Sequence, residues 1–272
     1  MTAAQAAAAE TRLHVERRGA VEILTISNPA QRNALGPAVY RGLGEAVDRA
    51  AADPTLRAFV ITGDGGIFCG GGNLNRLRDN QSKPREHQAA SIDILHGAVR
   101  RMRACPLPFI AAVEGAAAGA GFSIALQCDL IVAAEDARFI MAYVKIGLTP
   151  DGGGSAMLGQ LLPRQLAYEL MALGEPIDAP RLAAAGVVSR CVRSGTALDE
   201  ALRLAERLTR GPGEALGRIK RLSNAAVAAQ DAQLDLERDF MVESVHGSEG
   251  REGIAAFLEK RAPDFGCERK SK

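Results

Sequence analysis

Three glycine-rich stretches, each set where an apolar run gives way to a loop or a helix, constrain this chain more than any other feature. They are Phe68-Cys69-Gly70-Gly71-Gly72-Asn73-Leu74, Gly115-Ala116-Ala117-Ala118-Gly119-Ala120-Gly121 and Pro150-Asp151-Gly152-Gly153-Gly154. Small residues there leave backbone N–H groups uncovered, and a helix start adds the positive end of its dipole. An anion or a developing oxyanion can rest against such groups. Taken singly, each stretch reads equally as a tight turn.

The segments around them alternate in period. Leu13–Arg17 and Val21–Ile26 flank Arg18-Gly19 and are patterned as a strand hairpin. Gly36 to Ala52 carries Val39, Leu43 and Val47 at helical spacing and stops before Asp53-Pro54. Ala58–Thr62, Phe109–Val113 and Asp129–Ala133 are short apolar runs expected as buried strands. Helical patterning covers about Glu86 to Arg103 and Gly119 to Gln127. Strand, loop and helix in turn predict an α/β core. From Ala197 to Lys260 the pattern is almost continuously helical, with breaks at Gly211-Pro212-Gly213 and Gly247. Leu198, Leu202, Ala205 and Leu208 form one apolar stripe there. The expected organisation is a flexible N-terminal tail (1–12), a core (13–196) and a C-terminal helical region (197–272).

Charge and composition narrow the function. The 272 residues carry 33 basic and 32 acidic side chains, a net charge of +1, without the basic stripe of a nucleic-acid binder. Arg100–Arg101, Lys220–Arg221 and Lys260–Arg261 read as solvated helix faces. The five cysteines (Cys69, Cys105, Cys128, Cys191, Cys267) show no CxxC pairing, so a reducing cytoplasm is expected rather than a disulfide or zinc scaffold. Met1 to Glu10 lacks the basic start and apolar run of a signal peptide. The longest near-apolar run, Gly115 to Leu126, is shorter than the roughly 20 residues that span a bilayer. No metal site is expected, because His14, His87, His96 and His246 show no ligand spacing.

Rival chemistries fit less well. No Gly-x4-Gly-Lys-Ser/Thr is present, and Gly119-Ala120-Gly121 lacks the third glycine of a dinucleotide fingerprint, Ile124 standing there. Gly121-Phe122-Ser123-Ile124-Ala125 is a degenerate nucleophile elbow whose triad would have only His246 downstream. Ser123 therefore reads as a small residue packed on a helix, and His96, in a helical pattern with apolar neighbours Ile92, Ile94 and Leu95, as a structural histidine. Asp151 has two readings. It can cap the helix that follows, or serve as a base whose pKa is raised by Ile146, Leu148, Met157 and Leu158.

Together these segments resemble the crotonase (enoyl-CoA hydratase/isomerase) superfamily over nearly the whole chain. Further matching segments are Asn28-Pro29 to Asn33-Ala34-Leu35, Pro108 to Asp129, Ala134 to Phe139 and Lys145-Ile146-Gly147-Leu148-Thr149-Pro150. The resemblance implies a spiral of ββα turns, with the C-terminal helices building a trimer or a dimer of trimers. It implies an acyl-CoA thioester as substrate and no separate cofactor. The thioester oxygen would be held by the N–H groups of Gly72 and Ala120. CoA and its acyl group would lie near Arg32, Ala34, Gly70, Asn73 and Leu74, with Phe257 and Lys260 completing the nucleotide pocket. Phe122 and Tyr143 would shape the acyl pocket.

Two positions depart from the hydratase pattern. Ser123 and Tyr143 stand where the family's water-handling glutamates are expected, and neither replaces a carboxylate base, the Tyr pKa being about 10. Asp151 instead falls where Δ3,Δ2-enoyl-CoA isomerases place their single base. Phe139 to Tyr143, Thr149-Pro150-Asp151, Gln233-Leu234-Asp235-Leu236-Glu237-Arg238-Asp239 and Arg251-Glu252-Gly253 are similar to the epoxyphenylacetyl-CoA isomerases of phenylacetate catabolism. Aryl-CoA dehalogenases place an aspartate at Asp151 and a histidine near His96, so that reading stays open, as do hydration and CoA binding without catalysis. The expected reaction is a double-bond shift or epoxide rearrangement through a thioester enolate, with Asp151, Gly72 and Ala120 as its working groups.

Overall fold

The computed structural model describes residues 10–225 and 230–265, so Cys267 and the first nine residues of the expected tail lie outside it. The hairpin is present as β1 (Arg12–Arg18) and β2 (Val21–Ser27), paired antiparallel with Arg18 opposite Val21. Thr11, inside the expected tail, is buried. Helix α1 (Pro37–Ala52) follows, with proline in its first turn, where a missing N–H costs nothing. Then come β3 (Ala58–Gly63), α2 (Leu74–Asn80) and the long α3 (Arg85–Ala104).

From here the chain spirals. β4 (Phe109–Val113), β6 (Leu130–Ala134) and β9 (Arg190–Val192) extend the large sheet, in the order β1-β2-β3-β4-β6-β9, parallel after the first pair. Short strands β5 (Ala116–Ala118), β7 (Arg138–Ile140) and β8 (Ile177–Asp178) form a second sheet, β5-β7-β8. Each turn thus lays one strand in the large sheet and a shorter one in the small sheet before a helix leads on. α4 (Ala120–Leu126) ends one such turn. The next holds a 3-10 segment (Ala142–Ile146), α5 (Gly154–Leu161), α6 (Arg164–Leu173) and α7 (Ala179–Ala184). This is the ββα spiral that the resemblance implies.

The expected C-terminal helical region is α8 (Ala197–Thr209), α9 (Gly213–Ala225), α10 (Gln230–His246) and α11 (Ser248–Leu258). The Leu198–Leu208 stripe of α8 lies on one face of the large sheet, over Val21, Ala58, Val60, Ile110 and Val132. The other face holds the main core, in which Phe59 stacks on Phe109 with ring centroids 4.5 Å apart. Burial at about 25 cal/mol per Å² of apolar surface is what holds these layers together. Among the described residues no helix is long and apolar enough to cross a membrane.

Candidate active site

Isolated bridges between the first two glycine stretches and their neighbours build the site. Cys69 pairs in parallel with Ala117, and Leu35 pairs in parallel with Gly72. In the second bridge Leu35 donates to the Gly71 carbonyl (2.7 Å) and accepts from Asn73 N–H (3.1 Å). The Gly72 N–H, between those two contacts, points the other way and has no partner among the described residues. Ala120 is the first residue of α4, so its N–H also lies outside the helical ladder and has no partner among the described residues. Gly119 turns the chain there with φ 49° and ψ −124°, a conformation that side chains oppose. Gly121 lets the two stretches touch: a Cβ on it would meet Cys69 Cβ at 2.6 Å.

Both N–H groups belong to residues lining one cavity of about 290 Å³, which Asp151 and Tyr143 also line. Asp151 is buried, and no other acidic residue lines the cavity among the described residues. Its Oδ1 accepts a 2.6 Å hydrogen bond from the Tyr143 hydroxyl. Burial pushes the Asp151 pKa up to about 6, with the tyrosine bond pulling the other way. Burial, and then the Asp151 charge, hold the Tyr143 phenol well above its usual range, so it stays the donor. Ser123 is fully buried and lies 3.3 Å from the same hydroxyl.

The capping reading of Asp151 is not what the fold uses. The N-cap of α5 is Gly153, without a side-chain cap. Three side chains from three elements fix the 151–155 loop instead. His96 Nε2, on α3, accepts from Gly152 N–H (3.2 Å), and Gln127 donates to the Gly152 carbonyl (3.1 Å). Glu237, on α10, accepts from Gly153 N–H (2.6 Å), Ser155 N–H (3.0 Å) and the Ser155 hydroxyl (2.6 Å). His96 is fully buried; burial, then the Arg100 charge, lower its pKa to about 4, so the ring is neutral with its proton on Nδ1. Glu237 is raised to about 7 by burial, against the bonds from Ser155 and Gly153.

Of the other expected contacts, Gly70, Asn73, Leu74 and Phe257 line the same cavity, while Arg32, Ala34, Phe122 and Lys260 do not. Phe122 is fully buried against Phe139, ring centroids 5.1 Å apart, because its helix face turns into the core. Arg32 is exposed and meets the site through its carbonyl, which accepts from Gly70 N–H at 2.7 Å. Ala34 is tied into the same turn through its N–H on Gln31. Lys260, exposed just past α11, gives way to Arg261 at the cavity. Asn73 has a structural duty as well, its side chain accepting Arg76 N–H to start α2.

Sequence reasoning missed Tyr40 and Arg76 on the cavity wall and gave Glu237 no role, although its segment was among those matched. The nucleophile-elbow reading fails geometrically: Ser123 has Tyr143, not a histidine, beside it and does not line the cavity. Among the described residues no three His, Cys, Asp or Glu side chains are grouped to hold a metal.

Comparison with known proteins agrees with this fold. Residues 16–268 match the enoyl-CoA hydratase/isomerase family model. The chain is 37% identical to the 1,2-epoxyphenylacetyl-CoA isomerase of Escherichia coli K12, over 93% of this chain and 96% of that protein. It is 36% identical to the 2,3-dehydroadipyl-CoA hydratase of the same organism, over 93% and 98%. A solved enoyl-CoA hydratase from Polaromonas sp. JS666 is 50% identical, covers 93% of this chain and 99% of its own, and superimposes with a TM-score of 0.78.

Proposed function

Because the chain belongs to the enoyl-CoA hydratase/isomerase family, we propose that it is the isomerase among that family's chemistries, acting on an acyl-CoA thioester through its enolate. One observation carries this reading: among the described residues, the cavity that holds two unpartnered N–H groups has a single carboxylate, Asp151. Hydration needs one group to activate water and another to protonate carbon. A proton shift needs only one, because the proton taken from one carbon goes back to another.

In this mechanism the Asp151 carboxylate removes a proton from the carbon next to the thioester carbonyl. The freed electron pair moves into the C–C–O system, and Gly72 and Ala120 N–H groups bind the oxygen that gains the charge. Each donor of this kind is worth roughly 100- to 1,000-fold in rate. The protonated Asp151 then returns its proton two carbons further along and the double bond moves into conjugation. Opening of a neighbouring epoxide would draw on the same enolate. Acyl-CoA is the substrate, and no further cofactor enters these steps.

The site argues against the aryl-dehalogenase reading. His96 Nε2 is engaged by Gly152 N–H, and the ring does not line the cavity, so it cannot activate water there. The test is product analysis of 2-enoyl-, 3-enoyl- and epoxyphenylacetyl-CoA with wild type and Asp151→Asn. Wild type should isomerise a 3-enoyl or epoxide substrate without adding water, and the variant should lose about 100- to 10,000-fold in kcat. Wild-type-like turnover by the variant, or a hydrated product as the main one, overturns the assignment.

A further inference from the structure

The cavity is apolar near the thioester site but polar at another wall, where α1, α2 and α3 meet. Tyr40 from α1, Arg76 from α2 and Ser91 from α3 all line it. Tyr40 is largely buried, yet its hydroxyl has no hydrogen-bond partner among the described residues. Arg76 is half-buried and spends one Nη2 donor on the Ser91 hydroxyl at 2.7 Å. No carboxylate lies within 4 Å of it among the described residues, although the charge of Glu10 reaches it from further off. A guanidinium carries five N–H donors in a planar fork shaped for a carboxylate, and a half-buried one without a counter-charge is costly. The neighbouring amides cannot supply that charge: Asn80 donates to Gln88 at 2.7 Å and accepts from Lys83. Tyr40 lies close enough to feel the charges of both Asp151 and Arg76, so this wall adjoins the base and faces the acyl group.

We propose that Tyr40, Arg76 and Ser91 form an anion subsite, and that the substrates are acyl-CoA thioesters whose acyl chain ends in a free carboxylate. The ion pair supplies Arg76 with its missing counter-charge, and the Tyr40 hydroxyl donates to the same carboxylate. This deepens the isomerase reading and rests on it for the reaction, though not for binding.

Two measurements separate them. Turnover of 3-hexenedioyl-CoA is compared with that of 3-hexenoyl-CoA in wild type, Arg76→Leu and Arg76→Lys. Wild type should prefer the diacid thioester in kcat/KM by about 30-fold or more, the scale of a truncated buried charge pair. Arg76→Leu should erase that preference, and Arg76→Lys, which keeps the charge without the fork, should retain part of it. Binding of the saturated, unreactive adipyl- and hexanoyl-CoA by calorimetry should show the same selectivity without any catalysis. Equal affinity of wild type for the two saturated thioesters, or a wild-type preference for the methyl-terminated substrate, overturns the subsite. Selective binding without turnover of either enoyl substrate sinks the isomerase reading and leaves the subsite standing.

Discussion

At Asp151 burial and hydrogen bonding pull in opposite directions, and their balance sets the pH at which the site can work. Burial raises the carboxyl to about 6, and the Tyr143 hydroxyl at 2.6 Å restrains that rise. The base acts only when ionised, so kcat/KM should climb through the acid range and level off above about 6. Tyr143→Phe removes the donor that favours the ionised form. A hydrogen bond to a charged group contributes about 1.5–3 kcal/mol, so the acid limb should move up by about one pH unit or more. A pH profile of kcat/KM checks this. A lowered plateau with an unmoved midpoint would mean that Tyr143 only packs. From the sequence, Asp151 had two readings, because an aspartate before a glycine run and a helix satisfies capping statistics and base chemistry alike. In the fold its carboxylate turns from α5 to Tyr143, two residues before the N-cap.

Among the elements, α10 is the one whose position decides whether that carboxylate is held still. Glu237 reaches from it to the first turn of α5 and takes three donors from Gly153 and Ser155, beside the helix dipole. Glu237→Gln keeps the volume but turns an NH2 group towards those donors. Its effect on stability is mixed, since it strands a donor yet relieves a buried charge. Its effect on catalysis is not: a loop freed by about 1 Å can cost on the order of 100-fold. The expected result is a drop of about tenfold or more in kcat with KM nearly unchanged, measured by steady-state kinetics. An unchanged kcat beside an altered Tm would make the cap structural only. This device was half legible. Gln233 to Asp239 stood out as a matching segment, but nothing in it says that Glu237 lands 84 residues back in the chain, on Gly153. Strands β2, β3 and β4 were legible because each is a run of buried β-branched and aromatic residues. β5 was not, since three alanines carry no β preference and only pairing with β7 makes them a strand.

Over the whole molecule, the C-terminal helices and the spiral core share one site, and buried acids on both sides of it couple folding to pH. Burial raises the pKa of Asp151 in the core from 3.8 to about 6 and that of Glu237 on α10 from 4.5 to about 7, and the Asp151 charge adds to the rise at Glu237. Both shifts are upward, so the stability they contribute is complete below the unfolded values. It is lost as pH rises through about 6 and about 7. Each pKa unit corresponds to about 1.4 kcal/mol, which makes the combined change several kcal/mol between acid and neutral pH. Glu252 has the opposite sign. Its bonds to Arg261 lower it to about 2, so its contribution is present above its unfolded value and lost only in strong acid. The fold and the paired N–H loops could be inferred from local sequence, because glycine placement and apolar runs are local. This coupling could not, because each pKa depends on what the other end of the chain covers. Thermal unfolding from pH 4 to 8 tests it with wild type and an Asp151→Asn/Glu237→Gln double variant. Wild-type Tm should fall relative to the variant as pH rises from about 5 to 7.5, whatever constant offset the lost hydrogen bonds introduce. Parallel curves would mean that neither carboxylate is forced to ionise inside the folded protein, and the base assigned to the reaction would then lack the raised pKa on which its pH profile depends.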